Sequence, residues 1–574
     1  MLNRYYEQEL GNLRKLGSEF ARNNPALAPL LGADRASDPD VERLLEGVAF
    51  MTGLIRHRLE DDFPEFIQNL AQLLFPTFLR PLPCMTIMQY EPRMQLEEAT
   101  TVAAGTEFSS EPVDGQRMLF RASFPVTLEP VELVSTQWEG GGTQARTLRL
   151  HMRYTGAKPG SWKSDRLRFF LGGAHADATR LYLLLMRHVR EIRLGADGGP
   201  ITSLPPSSVE PAGLRPDLDL LPWPSNAHPA WRILHEYFAL PEKLLFIDLC
   251  GFSRWPERAS AQQFSVQFLF DHVPDWAPAM SASSFVMNAT PAANLLNADA
   301  HPIRVDHRQP DYKVQPVARG SRQIEQIYSV DRIVARTPDG QEKDYHAFSA
   351  FQGDDGASYN LRIRPSVLDR GYDHYLSLPY TPDDNPQALT LSAHLTCTHG
   401  NLPESLRLGD INVPTDKSPP RIAFRNIHSV TPYSPPTFDS ALLWRVLSHL
   451  NANHLSLAND NQLQELLSLY LPPRQSSGQR HAAARRMIAS MERIQAEPAR
   501  RMVRGMPVQG SEVTIECRGD HFPGIGSLFL FGTVLDELLA GTTALNTFSA
   551  LTLVDTVNGE TLKWPAKIGR YRLL

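Results

Sequence analysis

The sequence predicts an α+β multidomain protein, with a helical N-terminal segment, central antiparallel β-rich domains and a C-terminal domain of mixed α/β character. Three observations predict it. Apolar residues recur at helical spacing as far as Pro83, alternate like strands beyond it, and return to helical spacing after residue 433. The 574 residues exceed what a single hydrophobic core organises and suggest roughly four domains. Prolines outnumber glycines, 46 to 36, which implies stiff extended crossings rather than one long bundle. The chain divides accordingly at 1–83, 84–224, 225–433 and 434–574.

The first segment reads as three amphipathic helices. Tyr6, Leu10, Leu13, Leu16 and Phe20 form the first stripe, which Pro25 stops. Asp38 caps the second helix and Pro39 sits at its first position, where the missing N–H costs nothing. Val41, Leu44, Leu45, Val48, Thr52, Ile55 and Leu59 follow as its apolar stripe. The third starts near Asp62 and Pro64, carries Phe66, Leu70, Leu73 and Leu74, and breaks at Pro76. Glu42, Arg43, Glu46, Arg56, Arg58, Glu60, Asp61 and Asp62 make a dense charged arc. That arc is either a solvated face with helix-spaced ion pairs or a docking face for another subunit.

After Pro83 the runs CMTIMQYEP, TTVAAGTEFSS, MLFRASFPVTLEPVELV and RTLRLHMRY are β-favouring and bounded by turns, as in an antiparallel sheet or sandwich. The glycines at 140–142 make a turn rather than a nucleotide loop. Residues 178–196 fit strand or helix. Residues 200–224 are dense in proline and read as an irregular crossing. AWRILHEYFALPEKLLFIDLCGF is a helix and then an apolar strand, with an Arg232–Glu236 pair expected on the helix. His235–Glu236 does not complete a zinc protease motif, because position 239 is Ala.

Strands dominate 264–364. His301 and His307, on either side of Asp306, would lie about 20 Å apart in an extended strand, too far to share an ion. Further on, His394 faces away from Cys397 and His399 in a strand, so these do not converge on zinc either.

Helices return at 441–457 and from the Asn459/Asp460 cap to Pro472. Residues 480–504 are the most basic window: Arg480, Arg485, Arg486, Arg493, Arg500, Arg501 and Arg504 against Glu492 and Glu497. It reads as a solvated helix or as a patch for an acidic partner face. A strand, a helix from Ile525 and further strands complete the chain.

Net charge is −6, from 57 Lys and Arg against 63 Asp and Glu, which argues against nucleic acid as a partner. Cys84, Cys250, Cys397 and Cys517 form no C-x-x-C pair, so buried free thiols in a reducing compartment are expected. There is no apolar signal region, and no uninterrupted apolar run reaches the ~18 residues of a membrane span. The expectation is a soluble, cytoplasmic protein. Nucleophile elbows and Walker motifs are missing, and Gly524–Ile525–Gly526 is half a dinucleotide fingerprint, with Phe529 where the third glycine belongs. Adjacent carboxylates such as Asp61–Asp62, Asp354–Asp355 and Asp383–Asp384 diverge or solvate turns. The residues therefore suggest no enzyme, no cofactor and no metal.

Some stretches carry a resemblance: YYEQEL at 5–10, EFA at 19–21, DPDVERLLEGVAF at 38–50, DDFPE at 61–65 and PTFLRPLP at 76–83. Later come PWP at 222–224, EYF and PEK within 232–246, blocks at 290–295 and 302–312, and RG with LFGTVL between 512 and 564. With these the chain resembles the TssF family of type VI secretion baseplate wedge subunits. Trp231, Leu538 and Gly541–Thr542 depart from the family's usual residues, which touches packing detail only.

The resemblance implies a fold like contractile phage-tail baseplate wedge proteins and a non-enzymatic, mechanical role. It implies two copies joined to one TssG and contacts to TssK and TssE. Around them stand the VgrG hub, the Hcp tube and the TssB–TssC sheath, with recruitment to the cytoplasmic face of the inner membrane. Two copies in unequal positions suggest hinges near 200–224 and 413–437. The partner-facing residues expected are Glu42, Arg43 and Glu46 in the second helix, and Arg485, Arg486 and Arg493 in the basic window. The alternative from another class is a β-sandwich carbohydrate- or peptide-binding module, or a hydrolase with an unrecognised site. An aromatic-lined pocket with perturbed carboxylates would favour it.

Overall fold

The computed structural model describes residues 68–569, apart from 94–95, 141–145, 157–161, 197, 225–226, 260–261, 318–325, 338–339, 349–357, 367–370, 380–388, 437–445, 447–459, 473–477 and 504–505. Before that range it describes Leu10, 43–44 and 46–51. The chain forms two compact units, Met1–Leu73 with Phe438–Leu447, and Leu74–Thr437 with Ser448–Leu574.

Every described residue of the first unit is helical. Ala49, Ala71 and Val446 are fully buried, whereas Leu44, Val48 and Met51 are 69%, 49% and 66% exposed. The apolar stripe of the second helix is thus exposed at Leu44 and Val48, and positions 44, 48 and 51 share one helical face. Tyr6, Leu13, Leu16, Phe20, Val41, Leu45, Thr52, Ile55, Leu59 and Phe66 lie outside the described residues.

The second unit opens on the 3-10 turn Pro76–Leu79, where Pro76 ends helical structure as expected. Strands follow. A six-stranded antiparallel sheet runs Val413–Pro414, Glu107–Ser109, Leu119–Ala122, Ala289–Ala293, Met85–Pro92, Ile422–Asn426. Its core holds Met88, Tyr90, Phe108, Phe120 and Phe424. A five-stranded sheet runs Thr202–Leu204, Val189–Ala196, Gln263–Phe270, Thr147–Tyr154, Val131–Glu139, and a four-stranded one joins Val209–Pro211, Phe246–Cys250, Arg166–Phe170 and Val286–Met287. The eight-stranded sheet is built on Leu389–Thr398, whose Leu391, Ala393, Leu395 and Cys397 point into one core. Strands from 84–224 and from 225–433 meet within these shared sheets.

The proline-rich crossing is less irregular than expected. Thr202–Leu204 and Val209–Pro211 pair into sheets, and Leu218, Leu220 and Leu221 are buried. Val413–Pro414 and Ile422–Asn426 are likewise ladder-bonded. Parts of both stretches proposed as hinges are thus held by backbone hydrogen bonds at 202–204, 209–211, 413–414 and 422–426.

The helices of this unit are α1 (His175–Arg187), α2 (Arg232–Ala239), α3 (Asp460–Leu469), α4 (Gly478–Ile488) and α5 (Ile525–Thr542). The ambiguous stretch at 178–196 resolves into both alternatives: α1, then the strand Val189–Ala196. The basic window is corrected in the same sense. It is helical only to Ile488 and then becomes the strand Met491–Val503, because Met506–Cys517 pairs with it along almost its whole length. Met506–Cys517 also pairs in parallel with Thr547–Asp555. A parallel pair needs a crossover, and α5 supplies it.

α5 is long and apolar enough to span a membrane by length and composition, yet 89% of it is buried inside the protein. It is a core helix. Gly526, the second glycine of the half fingerprint, lets it cross α1: a Cβ there would stand 2.4 Å from both Arg180 N and Thr179 C. Backbone cannot yield as a flexible side chain does. Gly526→Ala is expected to lower stability by about 1–3 kcal/mol, read as a fall in the urea midpoint. Gly478→Ala, with nothing within 4 Å of its Cβ, is the control and leaves the midpoint essentially unchanged. Equal midpoints for the two variants would remove the close crossing as the reason for Gly526.

None of the four cysteines forms a disulfide; Cys84, Cys397 and Cys517 are buried and Cys250 is half-buried.

Candidate functional site

The EYF and PEK blocks are neighbours in space. α2 ends at Ala239, and Pro241 starts the 3-10 turn Pro241–Leu245, which folds Lys243 back along the helix. Lys243 Nζ meets Glu236 Oε2 at 2.6 Å, with the two side chains 0% and 3% exposed. Leu220 N donates to Glu236 Oε1 at 2.8 Å, and Lys243 lies 5.8 Å from the centre of the Phe124 ring.

The expected Arg232–Glu236 pair does not form. The 215–220 crossing packs against α2 and takes both partners. Arg232 meets the Asp219 carboxylate and donates to the carbonyls of Pro216 and Arg215 at 3.0 and 3.2 Å, while Glu236 accepts from Leu220.

Glu242, next in the chain, also turns inward. Its Oε1 faces His175 Nδ1 at 3.3 Å and His428 Nε2 at 3.6 Å. Burial alone raises a carboxyl, but the two imidazoles outweigh it and hold Glu242 well below the usual carboxylate range. Burial pulls the His428 imidazole down, yet Glu242 prevails and raises it.

Two cavities adjoin this pair. One of about 610 Å³ lies among α2, α4 and α5, with walls from Tyr237, Phe238, Met487, Phe522 and Leu530. Arg480 and Arg486 also line it, as do Glu242 and His175. The other, about 840 Å³, shares Glu242 and His175 and is lined by Glu132, Arg425, His428 and Ser283 among others.

The partner-facing residues expected from sequence are placed as follows. Arg485 and Arg486 are exposed on α4, and Arg486 Nη2 donates to the Asp520 carbonyl at 3.0 Å. Arg493 is exposed on the strand that follows, close to Gln495. These three thus lie on successive elements, and Arg486 lines the smaller cavity. Arg43 and Glu46 are exposed on a helix of the first unit, and Glu42 lies outside the described residues.

The histidine and aspartate clusters singled out in the sequence have local partners. Asp306 Oδ1 accepts from Arg308 N at 3.2 Å and from the Tyr312 hydroxyl at 3.1 Å. His394 Nδ1 stands 2.7 Å from Asp299, and His399 Nδ1 2.9 Å from the Asn294 amide nitrogen. Among the described residues no three His, Cys, Asp or Glu side chains form a metal-binding group.

Comparisons with known proteins bear on the whole chain. A component from Pseudomonas aeruginosa strain PAO1, named type VI secretion system component TssF1, is 28% identical over 621 residues, covering 98% of each chain. A chain in the cryo-electron microscopy structure of the type VI secretion TssK–TssF–TssG baseplate subcomplex has a similar fold. Its TM-score is 0.78 at 24% identity, over 93% of this chain and 99% of that one. A chain of a second type VI secretion baseplate complex matches over 100% of both, with a TM-score of 0.60 at 21% identity. The profile of the family described as "Type VI secretion system, TssF" matches residues 1–571, and with it this mostly β, mixed α/β chain takes its place as a member of the TssF family.

Proposed function

We propose that this chain is a structural subunit of a type VI secretion baseplate, working in the cytoplasm as the wedge core with TssG and bound to TssK. The observation that carries this reading is family membership over residues 1–571, supported by the fold shared with a chain of the TssK–TssF–TssG subcomplex. The finer arrangement belongs to the same proposal. Two copies would join one TssG, contact TssE, and surround the VgrG hub where the Hcp tube and TssB–TssC sheath begin, at the inner membrane's cytoplasmic face.

The chain's own surface agrees with a covered role. Leu44, Val48 and Met51 make an exposed apolar face on one helix, of the kind an assembly covers. Arg485, Arg486 and Arg493 are exposed, and basic residues of this kind suit an acidic partner face.

The specific observation favouring a ligand-binding or hydrolytic reading is the aromatic-lined cavity with Glu242 on it. Glu242 is perturbed the wrong way for acid–base work. A general acid or base near neutrality needs a raised carboxyl, whereas Glu242 is held low by two imidazoles. The assembly reading is preferred.

Co-expression with TssG and native mass spectrometry of the complex test it, with two copies of this chain per TssG expected. A soluble monomer that captures no TssG, or a one-to-one complex, would overturn the corresponding part. The Arg485→Glu, Arg486→Glu, Arg493→Glu triple variant is expected to weaken capture of TssG or TssK about tenfold while leaving the chain folded. Undiminished capture of both would remove these residues from the interface.

A further inference from the structure

The cavity among α2, α4 and α5 combines features that no single property of the fold requires. We propose that it is a socket for a tyrosine or tryptophan side chain from a partner protein of the baseplate, an inference that rests on the assembly reading above. Its volume, about 610 Å³, leaves room for an aromatic ring and the backbone that carries it. Its walls are Tyr237 and Phe238 of α2, Met487 of α4, Phe522 and Leu530, which offer ring faces, a thioether and aliphatic surface to an apolar body.

The polar groups narrow the occupant further. Glu242 is 8% exposed and lines the cavity, and its Oε1 already faces two histidines. Its Oε2 is buried with no hydrogen-bond partner. A buried polar atom without a partner is costly, and His175 Nδ1 on the same wall makes no hydrogen bond either, so the missing group is one that hydrogen-bonds at Glu242 and His175. An anion is excluded by the carboxylate itself. A lysine or arginine would satisfy Glu242 but must pass Arg480 and Arg486, which line the same cavity. What remains is a neutral donor on an apolar body, which describes the phenol of tyrosine and the indole of tryptophan. A polypeptide is favoured as its carrier because Ala482 and Ala483 are exposed on α4 and line the cavity, so a backbone can approach closely there. Tyrosine and tryptophan are also the side chains that most often anchor protein interfaces.

The test uses the full chain fused to a solubilising domain, with indole, p-cresol and toluene as probes read by saturation-transfer NMR and titration. Indole and p-cresol are expected to bind about fivefold or more tightly than toluene, the advantage of one satisfied acceptor. Ala483→Trp, which fills the mouth from an exposed position, should abolish binding of all three. Glu242→Leu should bring them to parity. If no probe binds, if toluene binds equally well to the unaltered chain, or if binding survives Ala483→Trp, the socket is refuted.

Co-expression separates this inference from the baseplate reading. If Ala483→Trp abolishes probe binding and lowers capture of TssG or TssK tenfold or more, the socket is supported. If probe binding is lost but capture of both is unchanged, the partner role of the socket fails while the baseplate reading stands. If the unaltered chain captures neither, the baseplate reading itself fails.

Discussion

Lys243→Met is expected to cost about 3–5 kcal/mol of stability, the loss typical of removing one partner from a buried ion pair. The Glu236 carboxylate would remain where it is, because Leu220 N still donates to its Oε1, but without a countercharge at its other oxygen. Methionine matches the lysine stem well enough that packing against Phe124 is largely kept, so the loss reports the charge rather than a cavity. Adding Glu236→Gln should recover most of it. The amide keeps an acceptor for Leu220 N and carries no charge to strand. Urea midpoints of the single and double variants decide the matter. A single variant within about 1 kcal/mol of the parent, or a double variant no better than the single, would mean that the pair is a bystander.

That pair also marks where the sequence stops being readable. Periodicity offers Arg232 as the partner of Glu236 one helical turn away, and nothing local says that Asp219 and Leu220 will pass alongside and divide the two. Lys243 is seven positions from Glu236 and beyond a proline turn, so no helical spacing rule links them. The strand Met491–Val503 was hidden for a different reason. Its Ala, Arg, Met and Glu residues favour helix, and the ladder to Met506–Cys517, with Val513 and Ile515 buried, overrides that preference. By contrast, Thr147–Tyr154 was legible because its buried positions alternate along the strand, and α5 and the strands Met85–Pro92 and Leu389–Thr398 because their apolar runs are bounded by turn residues. The cavity was not legible at all. Its walls come from His175, 237–242, Pro472, 480–487, 520–523 and 527–530, stretches that only tertiary folding brings together.

Asp536 gives the chain a pH dependence whose sign is set by burial. It sits on α5, 1% exposed, with Lys567 Nζ 2.6 Å away and Glu537 sharing the same ammonium. Burial pushes its carboxyl up and Lys567 pulls it back, and burial wins, raising the group from 3.8 to about 6. The folded state therefore holds this proton more tightly than the unfolded chain does. Its contribution to stability is fully present below 3.8 and is lost as pH rises through about 6. The gap corresponds to about 3 kcal/mol of penalty near pH 8.

Asp536→Asn removes that titration and leaves Lys567 with Glu537. The variant should gain stability relative to the parent as pH rises from 4 to 8, by up to about 3 kcal/mol. The comparison must be a difference between the two proteins. Carboxyls held low, such as Glu242, destabilise both as pH falls, with the opposite sign, and cancel in the subtraction. Urea midpoints at pH 4.5, 6 and 8 supply the measurement. Parallel curves for the two proteins would show that Lys567 keeps Asp536 ionised throughout, and that attraction, not burial, governs this carboxyl on the core helix.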